Sequence, residues 1–441
     1  MNEPVSRPAI DRTPPTVLLL CLACMTLEGY DVIAFGAALP LLLADTTWNV
    51  TVAQAGLLGS LTPVGMLVGA VGAGLLTDRL GRRRLVLLST AVFSLAMILS
   101  GIAPTIAVLA AGRFLVGLGV GGVLPSITAL VYEYSGPGRR NINTALTFAG
   151  IGIGGAASAV VAGVLGPEYG FRVVFLVGGL AAVVILPAAI VYLPESLIHL
   201  RSRGRVDDAR RWAARLRLDP AVAETPAPSA ESAGRLTILM SAPFRRTTVV
   251  FCLMTFASLL TFFGLYTWLP QLMRSAGYEL GSALTFLVVL NLGTTVGPLC
   301  LAFLADRIGS RPATAVAFLI AAVGVAGMSR PLPGPILYGV VVLAGIGAVG
   351  TQILINVFIA SRYPIQVRAT AIGTALSAGR LGGIVGPVYG ALLVSSNLST
   401  VAVFLAFAAP AVVGATLTMA VPRASQIARG ASVRPHRTEA P

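Results

Sequence analysis

The sequence contains no lysine, only two histidines and few charged residues of any kind. Charged residues make up 11% of the 441 positions and apolar residues 56%, whereas a soluble domain is about 25% charged. A soluble fold is therefore excluded. The formal net charge is +14, yet nucleic acid is not an expected partner. The basic residues, all of them arginine, lie mostly between apolar runs, as they do in membrane proteins.

Cysteine and histidine are too few and too poorly placed for metal or redox chemistry. Cys21 and Cys24 form a C-x-x-C, but both lie inside the first apolar run with no second Cys or His pair nearby. His199 and His436 fall in segments expected on the cytoplasmic side, so no histidine relay crosses the membrane. The sequence also has no ATP-binding loop and no nucleophile–base set. We therefore expect a protein that has no cofactor and is not an enzyme.

Twelve apolar runs divide the chain, and a bilayer is crossed by about 20 apolar residues. Because lipid cannot satisfy backbone polar groups, runs of this length predict helices and not barrel strands. The first run is too long and too polar in its middle for a cleavable signal peptide. The runs span residues 16–43, 53–76, 85–103, 107–132, 142–165, 172–193, 247–272, 282–304, 313–329, 334–360, 369–393 and 398–421.

The positions of the arginines orient the chain. With both termini in the cytoplasm, the outer loops hold only Arg172, Arg274 and Arg330, which is the positive-inside pattern. The long segment between the sixth and seventh runs contains a basic stretch, residues 201–218, that reads as an amphipathic helix. The predicted organisation is a cytoplasmic tail over 1–15, a six-helix bundle over 16–193, a cytoplasmic linker over 194–246, a six-helix bundle over 247–421 and a cytoplasmic tail over 422–441.

Four charged residues lie within apolar runs: Glu28, Asp31, Arg113 and Arg380. A central acid costs roughly 2.5–3.5 kcal/mol on insertion scales, so these side chains should face a cavity or the bundle interior. Burial favours a neutral carboxyl, whereas arginine keeps its proton. The acids are therefore candidate proton carriers, and the arginines candidate sites for a substrate anion. Structural ion pairs are the alternative, and Arg113 could equally be a helix anchor or a relay partner.

Other residues could shape a substrate pocket. Tyr30 and Tyr266 could stack on a planar ring, with ordinary packing as the alternative, and Trp268 suits an interfacial belt. Glycines beside Arg380 are expected to leave space there. The polar residues Asn291, Gln352 and Asn356 could either bond substrate hydroxyls or tie helices together.

The two predicted bundles repeat a motif at an offset of 228 residues. Residues 74–83 read GLLTDRLGRR and residues 302–311 read AFLADRIGSR. Such a duplication places a substrate site between the halves, near the midplane. The first copy resembles the signature loop of the major facilitator superfamily, and R-x-x-x-G-x-G from Arg113 resembles another of its elements.

Further motifs narrow the resemblance. Glu28-Gly-Tyr-Asp31 resembles the D-G-[FY]-D of the aromatic acid:proton symporter family, with Glu28 where Asp is usual. Further matches in chain order cover almost the whole transmembrane chain. They include Tyr169-Gly-Phe-Arg172 with Phe175, Leu193-Pro-Glu-Ser196, Trp268-Leu-Pro270 and the stretch from Gly379 to Pro387.

This resemblance implies an all-α membrane protein with twelve helices in two pseudo-symmetric six-helix bundles. It implies uptake of a benzoate- or hydroxybenzoate-class acid with protons by alternating access. It also implies a cytoplasmic gate formed by Asp78, Arg79, Asp306 and Arg307, for which a topology signal is the alternative. We expect a monomer in the bacterial inner membrane, whose partners are a small organic acid, protons and the lipid bilayer. The alternatives are a non-aromatic acid symporter, an exporter of hydrophobic compounds and a membrane sensor.

Overall fold

The protein is built from long helices joined by short turns. The computed structural model describes residues 13–136, 138–216, 218 and 235–421. The predicted tails over 1–15 and 422–441 therefore lie almost wholly outside the described residues. The helices are α1 (Pro15–Ala44), α2 (Val52–Leu80), α3 (Arg82–Gly101), α4 (Ile106–Glu133), α5 (Arg140–Tyr169), α6 (Arg172–Tyr192), α7 (Leu197–Ser202), α8 (Val206–Arg215), α9 (Arg235–Leu239), α10 (Ala242–Ser275), α11 (Leu280–Ile308), α12 (Ser310–Gly327), α13 (Gly334–Arg362), α14 (Ile365–Val394) and α15 (Thr400–Ala420).

Twelve of these helices, α1 to α6 and α10 to α15, are long and apolar enough to cross a membrane, as the twelve apolar runs predict. Local signals fix several of their ends. Pro15 opens α1, where its missing N–H costs nothing. Thr51 and Gln54 form a capping box at the start of α2 and so satisfy two backbone donors. Gly81 and Gly309, both at positive φ, end α2 and α11 at equivalent points of the two halves.

The six spans of each half pack in the same pattern. In the first half α1 packs on α5, α2 on α4, and α3 on both α4 and α6. In the second half the equivalent pairs are α10 with α14, α11 with α13, and α12 with both α13 and α15. Small residues allow this close approach. A Cβ at Gly154, for example, would lie 1.9 Å from the carbonyl oxygen of Thr26. The fold is thus two pseudo-symmetric bundles.

The halves meet through α1 with α10, α2 with α14, and α5 with α11. We call the side where α1 begins and α6 ends the linker side, and the opposite side the far side. The described hydrogen bonds between the halves lie between the middle of the bundle and the far side. Ser60 donates to the Ile384 carbonyl at 2.6 Å, and Arg274 donates to the Pro40 carbonyl at 3.2 Å. A Cβ at Gly36 would lie 2.0 Å from the Tyr266 carbonyl.

Toward the linker side, α2 and α14 separate. Their contacts include Ser60 with Ile384 and Met66 with Arg380, whereas a Cβ added at Gly72, Gly74 or Gly373 would meet no atom within 4 Å. We call the gap between the described parts of the two halves, on the linker side of these contacts, the cleft.

The carboxylate of Glu133 at the end of α4 holds the segment after α6 against the first half. Glu133 accepts hydrogen bonds from the Ser196 hydroxyl at 2.6 Å and the Ile198 backbone N–H at 2.7 Å. Gly204 has φ +71, and this break separates α7 from α8. Helix α8 is consequently shorter than the helix predicted over residues 201–218. Burial lowers the pKa of His199.

Candidate functional site

Helix α1 carries two buried acids into the centre of the molecule. Glu28 is 2% exposed and Asp31 is fully buried. Both carboxylate oxygens of Asp31, and Oε2 of Glu28, have no hydrogen-bond partner among the described residues. Gly29, between them, packs on α5, where a Cβ would lie 2.3 Å from the Ile151 carbonyl oxygen. The acids are therefore positioned by tight helix packing and not by hydrogen bonds to their carboxyl groups.

Arg113 on α4 is enclosed within the first half. It is 1% exposed, and its guanidinium carbon lies 5.4 Å and 5.5 Å from the ring centroids of Phe35 and Phe175. One of its N–H groups donates to the Asp31 carbonyl at 3.4 Å. Arg113 is also the opposite charge that acts on the Asp31 carboxyl group. This enclosure favours a role as the charge partner of Asp31. Substrate binding by Arg113 remains a prediction.

Arg380 on α14 reaches across to the first half. Its guanidinium donates to the backbone carbonyl of Met66 on α2, and it is the positive charge that acts on Glu28. Unlike Arg113, it is only partly buried. The expected space at the neighbouring glycines is not there, because α10 fills it. A Cβ at Gly382 would lie 2.1 Å from the Phe256 carbonyl oxygen. Arg380 thus links the halves at the depth of Glu28.

The aromatic candidates are packed more tightly than the sequence suggests. The Tyr30 hydroxyl donates to the Val174 carbonyl at 2.9 Å, and the Tyr266 hydroxyl is hydrogen-bonded to Thr294. Both rings are buried, so substrate stacking stays a prediction for each. The expectation of an interfacial belt at Trp268 is wrong. This side chain is fully buried, and its indole N–H donates to the Pro387 carbonyl at 2.8 Å.

All three polar candidates have a buried amide atom that lacks a hydrogen-bond partner among the described residues. Asn291 is fully buried and donates to the Leu287 carbonyl at 2.8 Å. Its Oδ1 faces Gly155 on α5 but accepts no hydrogen bond there, so its role stays a prediction. Gln352 and Asn356 lie one turn apart on α13. Both amide atoms of Gln352 and Oδ1 of Asn356 are buried without a partner among the described residues, so these groups are open to a ligand.

The predicted gate residues lie at the linker side. Arg79, Asp306 and Arg307 are exposed, and the side chain of Asp78 lies outside the described residues. The Arg307 guanidinium carbon lies 4.3 Å from the ring centroid of Phe303 on the same helix. The ion pairs found in the described part of the chain involve none of these three. The gate stays a prediction.

The described residues contain no group of three or more His, Cys, Asp or Glu that could hold a metal ion. The site is instead a cleft between two bundles with four buried or half-buried charges, and comparison with known proteins identifies the family. The model of the Major Facilitator Superfamily matches residues 21–387. The chain belongs to the Major Facilitator Superfamily. It is a multi-pass membrane transporter and not an enzyme.

The relatives within this superfamily are aromatic acid transporters. The benzoate transport protein of Acinetobacter baylyi is 33% identical over 90% of this chain and 87% of its own length. The gentisate transporter of Corynebacterium glutamicum is 35% identical over 88% of this chain and 83% of its own length. Among solved structures, the inward open xylose transporter XylE from E. coli has a TM-score of 0.73 at 14% identity, covering 94% of this chain and 98% of that one. The aromatic acid transporter resemblance is confirmed, and so is the fold.

Two features of the site were not anticipated from the sequence. One is the acceptor for Arg380, which is a backbone carbonyl and carries no sequence signal. The other is the pair of rings around Arg113, although Phe175 belongs to one of the matching family motifs. The sequence does not show which residues of different helices face each other, so neither the acceptor for Arg380 nor the rings around Arg113 could be assigned from it.

Proposed function

We propose that this transporter imports an aromatic carboxylate of the benzoate or hydroxybenzoate class together with protons, by alternating access. The observation that carries the proposal is the arrangement of charges in the cleft. Asp31 and Arg113 lie near each other within the first half, and Glu28 and Arg380 lie near each other across the two halves, so that each arginine acts on its acid as a nearby charge. Among the described residues, neither acid forms an ion pair with its arginine. The aromatic acid transporters among the relatives supply the substrate class.

Arg380 is the anchor for the substrate carboxylate. It is partly exposed to the cleft, and a guanidinium binds a carboxylate through two parallel hydrogen bonds. In the described structure its guanidinium donates to a neutral carbonyl, and Glu28 acts on it as a nearby charge without an ion pair. A substrate anion offers a stronger acceptor than the Met66 carbonyl and would replace it.

Substrate uptake is coupled to proton uptake because the substrate carboxylate and the ionised Glu28 compete for Arg380. Two carboxylates at Arg380 in a poorly hydrated site would repel each other, so one of them must be neutral. Substrate therefore binds when Glu28 carries a proton. Once the substrate leaves, Glu28 releases its proton, and the charge of Arg380 stabilises the resulting carboxylate. Asp31 is the second proton site, held opposite the fixed charge of Arg113.

The energetics favour two protons over one. Each charge that crosses 100 mV is worth about 2.3 kcal/mol, and each pH unit about 1.4 kcal/mol. A monoanion imported with one proton moves no net charge and gains only from the pH difference. With protons on both Glu28 and Asp31, one positive charge enters per cycle, and the membrane potential also drives uptake.

The expected orientation places the linker side in the cytoplasm of a bacterium, with both termini there, because most arginines lie on that side. The cleft would then be the cytoplasmic half of the transport path. Gln352 and Asn356 supply hydrogen-bonding groups that suit hydroxyl substituents of the ring. We expect a monomer to suffice, since both halves of the site come from one chain.

Uptake of radiolabelled 4-hydroxybenzoate into proteoliposomes tests this function. An inward proton gradient should accelerate uptake by wild type and drive accumulation. Asp31→Asn should lose the part that the membrane potential drives and keep only the smaller part that the pH difference drives through Glu28. Glu168→Gln, an exposed acid at the end of α5, is the matched control and should behave as wild type.

Two results would contradict the proposal. Uptake by wild type that does not depend on the proton gradient would exclude proton symport. Absence of uptake for every aromatic acid by folded protein, with dicarboxylates transported instead, would favour the non-aromatic alternative. Extrusion of hydrophobic compounds would favour the exporter.

A further inference from the structure

A second cavity lies far from the central charges, at the far-side rim of the seam between the halves. It is lined by the ends of α1 and α10, through Leu43, Ala44, Gln271, Arg274 and Ser275, and has a volume of about 340 Å³. Small-molecule sites commonly fall between about 300 and 1,000 Å³. We refer to it as the rim cavity. Nothing in the transport mechanism above uses it.

The rim cavity contains a cation with spare donors. Arg274 is half-buried and donates one N–H to the Pro40 carbonyl at 3.2 Å. Among the described residues, no acid forms an ion pair with it. The acid nearest in sequence to the α1 end of the lining is Asp45. Its carboxylate accepts from the backbone N–H and the hydroxyl of Thr47, at 2.9 Å and 2.5 Å.

Gln271 adds an amide side chain to the lining, and Leu43 and Ala44 add an apolar wall from the other half. Oε1 of Gln271 is enclosed by the protein and has no hydrogen-bond partner among the described residues, so a ring hydroxyl reaches it only when this side chain turns toward the cavity. A buried polar atom left unpaired costs about 1–3 kcal/mol, which favours that rotation. Cation, amide and apolar wall together match a small aromatic acid that bears a ring hydroxyl.

We propose that the rim cavity is a second binding site for the hydroxylated aromatic acid, in which Arg274 holds the carboxylate and Gln271 accepts from the hydroxyl. The proposal rests on the proposed substrate class and on the far side facing outward. Substrate bound there lies at the far-side end of the closed contact between the halves. Its carboxylate also competes with the Pro40 carbonyl for Arg274, so its binding weakens one of the contacts that close the far side.

Equilibrium binding of radiolabelled 4-hydroxybenzoate to the full-length protein in lipid nanodiscs tests this site. Wild type should bind two molecules per chain, Arg380→Ala one, Arg274→Gln one, and the double variant none. Binding at the rim should weaken by roughly tenfold or more in Arg274→Gln, because a charge-assisted hydrogen bond is lost. Arg330→Gln removes an exposed arginine elsewhere on the far side and should bind as wild type.

Gln271→Leu provides an independent variant that keeps the arginine. In the Arg380→Ala background it should weaken binding of 4-hydroxybenzoate and leave benzoate unaffected. Equal binding by Arg380→Ala and the double variant would overturn the rim site, as would a single binding site in wild type. Two-site binding without gradient-driven uptake would instead contradict the proposed transport function and leave the rim site standing.

Discussion

The two acid–arginine pairs of the cleft use the same chemistry in opposite settings. Asp31 and Arg113 lie on α1 and α4 of one bundle, and both are almost fully buried. Glu28 and Arg380 lie on α1 and α14, in different bundles, and Arg380 is partly open to the cleft. If the halves rock, as the proposed alternating access requires, the first pair moves as a unit while the second must change its geometry. The first is therefore suited to holding a proton site in place, and the second to sensing substrate.

The largest expected effect is on the enclosed pair. Arg113→Met should lower the free energy of unfolding by about 3–5 kcal/mol, because it leaves a buried acid without its partner. Adding Asp31→Asn should recover most of that loss, since the second change removes the uncompensated group. Thermal stability of the single and double variants in detergent measures both effects. If the double variant were as unstable as Arg113→Met, Asp31 and Arg113 would not be energetically coupled.

The inter-half pair should respond in binding rather than in stability. Arg380→Ala should weaken 4-hydroxybenzoate binding at the central site by roughly ten- to hundredfold, because charge-assisted hydrogen bonds contribute about 1.5–3 kcal/mol. Arg380→Lys should recover part of the affinity, since it keeps the charge but loses the two-pronged geometry. Isothermal titration at fixed pH measures both. Unchanged affinity in Arg380→Ala would show that another residue binds the substrate carboxylate.

The length of the Glu28 side chain offers a further test of the pair that spans the two halves. The family motif that Glu28-Gly-Tyr-Asp31 resembles has Asp at this position, so Glu28 is longer by one methylene. Glu28→Asp should compete less well for Arg380, so substrate should bind several-fold more tightly at about pH 8. Proton-driven accumulation should fall in parallel. Accumulation equal to wild type would show that the length of this side chain does not matter for coupling.

The smallest expected effect is at Tyr30, between the two acids. Tyr30→Phe removes the hydrogen bond to Val174 and should cost about 0.5–1.5 kcal/mol of stability, with little effect on uptake. The reason is that the hydroxyl group is already committed to a backbone carbonyl. A large rise in the apparent KM would show instead that this hydroxyl binds substrate.

The fold was predictable because its signals are local and strong. Twelve apolar runs correspond to twelve spans, and the repeated motif at Asp78-Arg79 and Asp306-Arg307 reports the duplication. The four central charges were also evident from the sequence, since few others fall within apolar runs. Each of these inferences needs only composition, periodicity or spacing within one segment.

The pairing of those charges was not predictable, because it depends on how distant helices align. Arg113 and Arg380 look equivalent in sequence, yet aromatic rings enclose the first and the second crosses the seam. Trp268 lies near a helix end and suits an interfacial belt on that ground alone. Its burial results from the close packing of α10 on α14, where Gly390 leaves room for its ring.

The most direct test of the account is the pH dependence of 4-hydroxybenzoate binding in wild type and Glu28→Gln. If substrate and ionised Glu28 compete for Arg380, wild-type affinity should fall by up to about tenfold per pH unit as Glu28 loses its proton. The glutamine variant should bind with nearly constant affinity between about pH 6 and pH 8. The same pH slope in both proteins would contradict competition at Arg380 and place the coupling proton elsewhere.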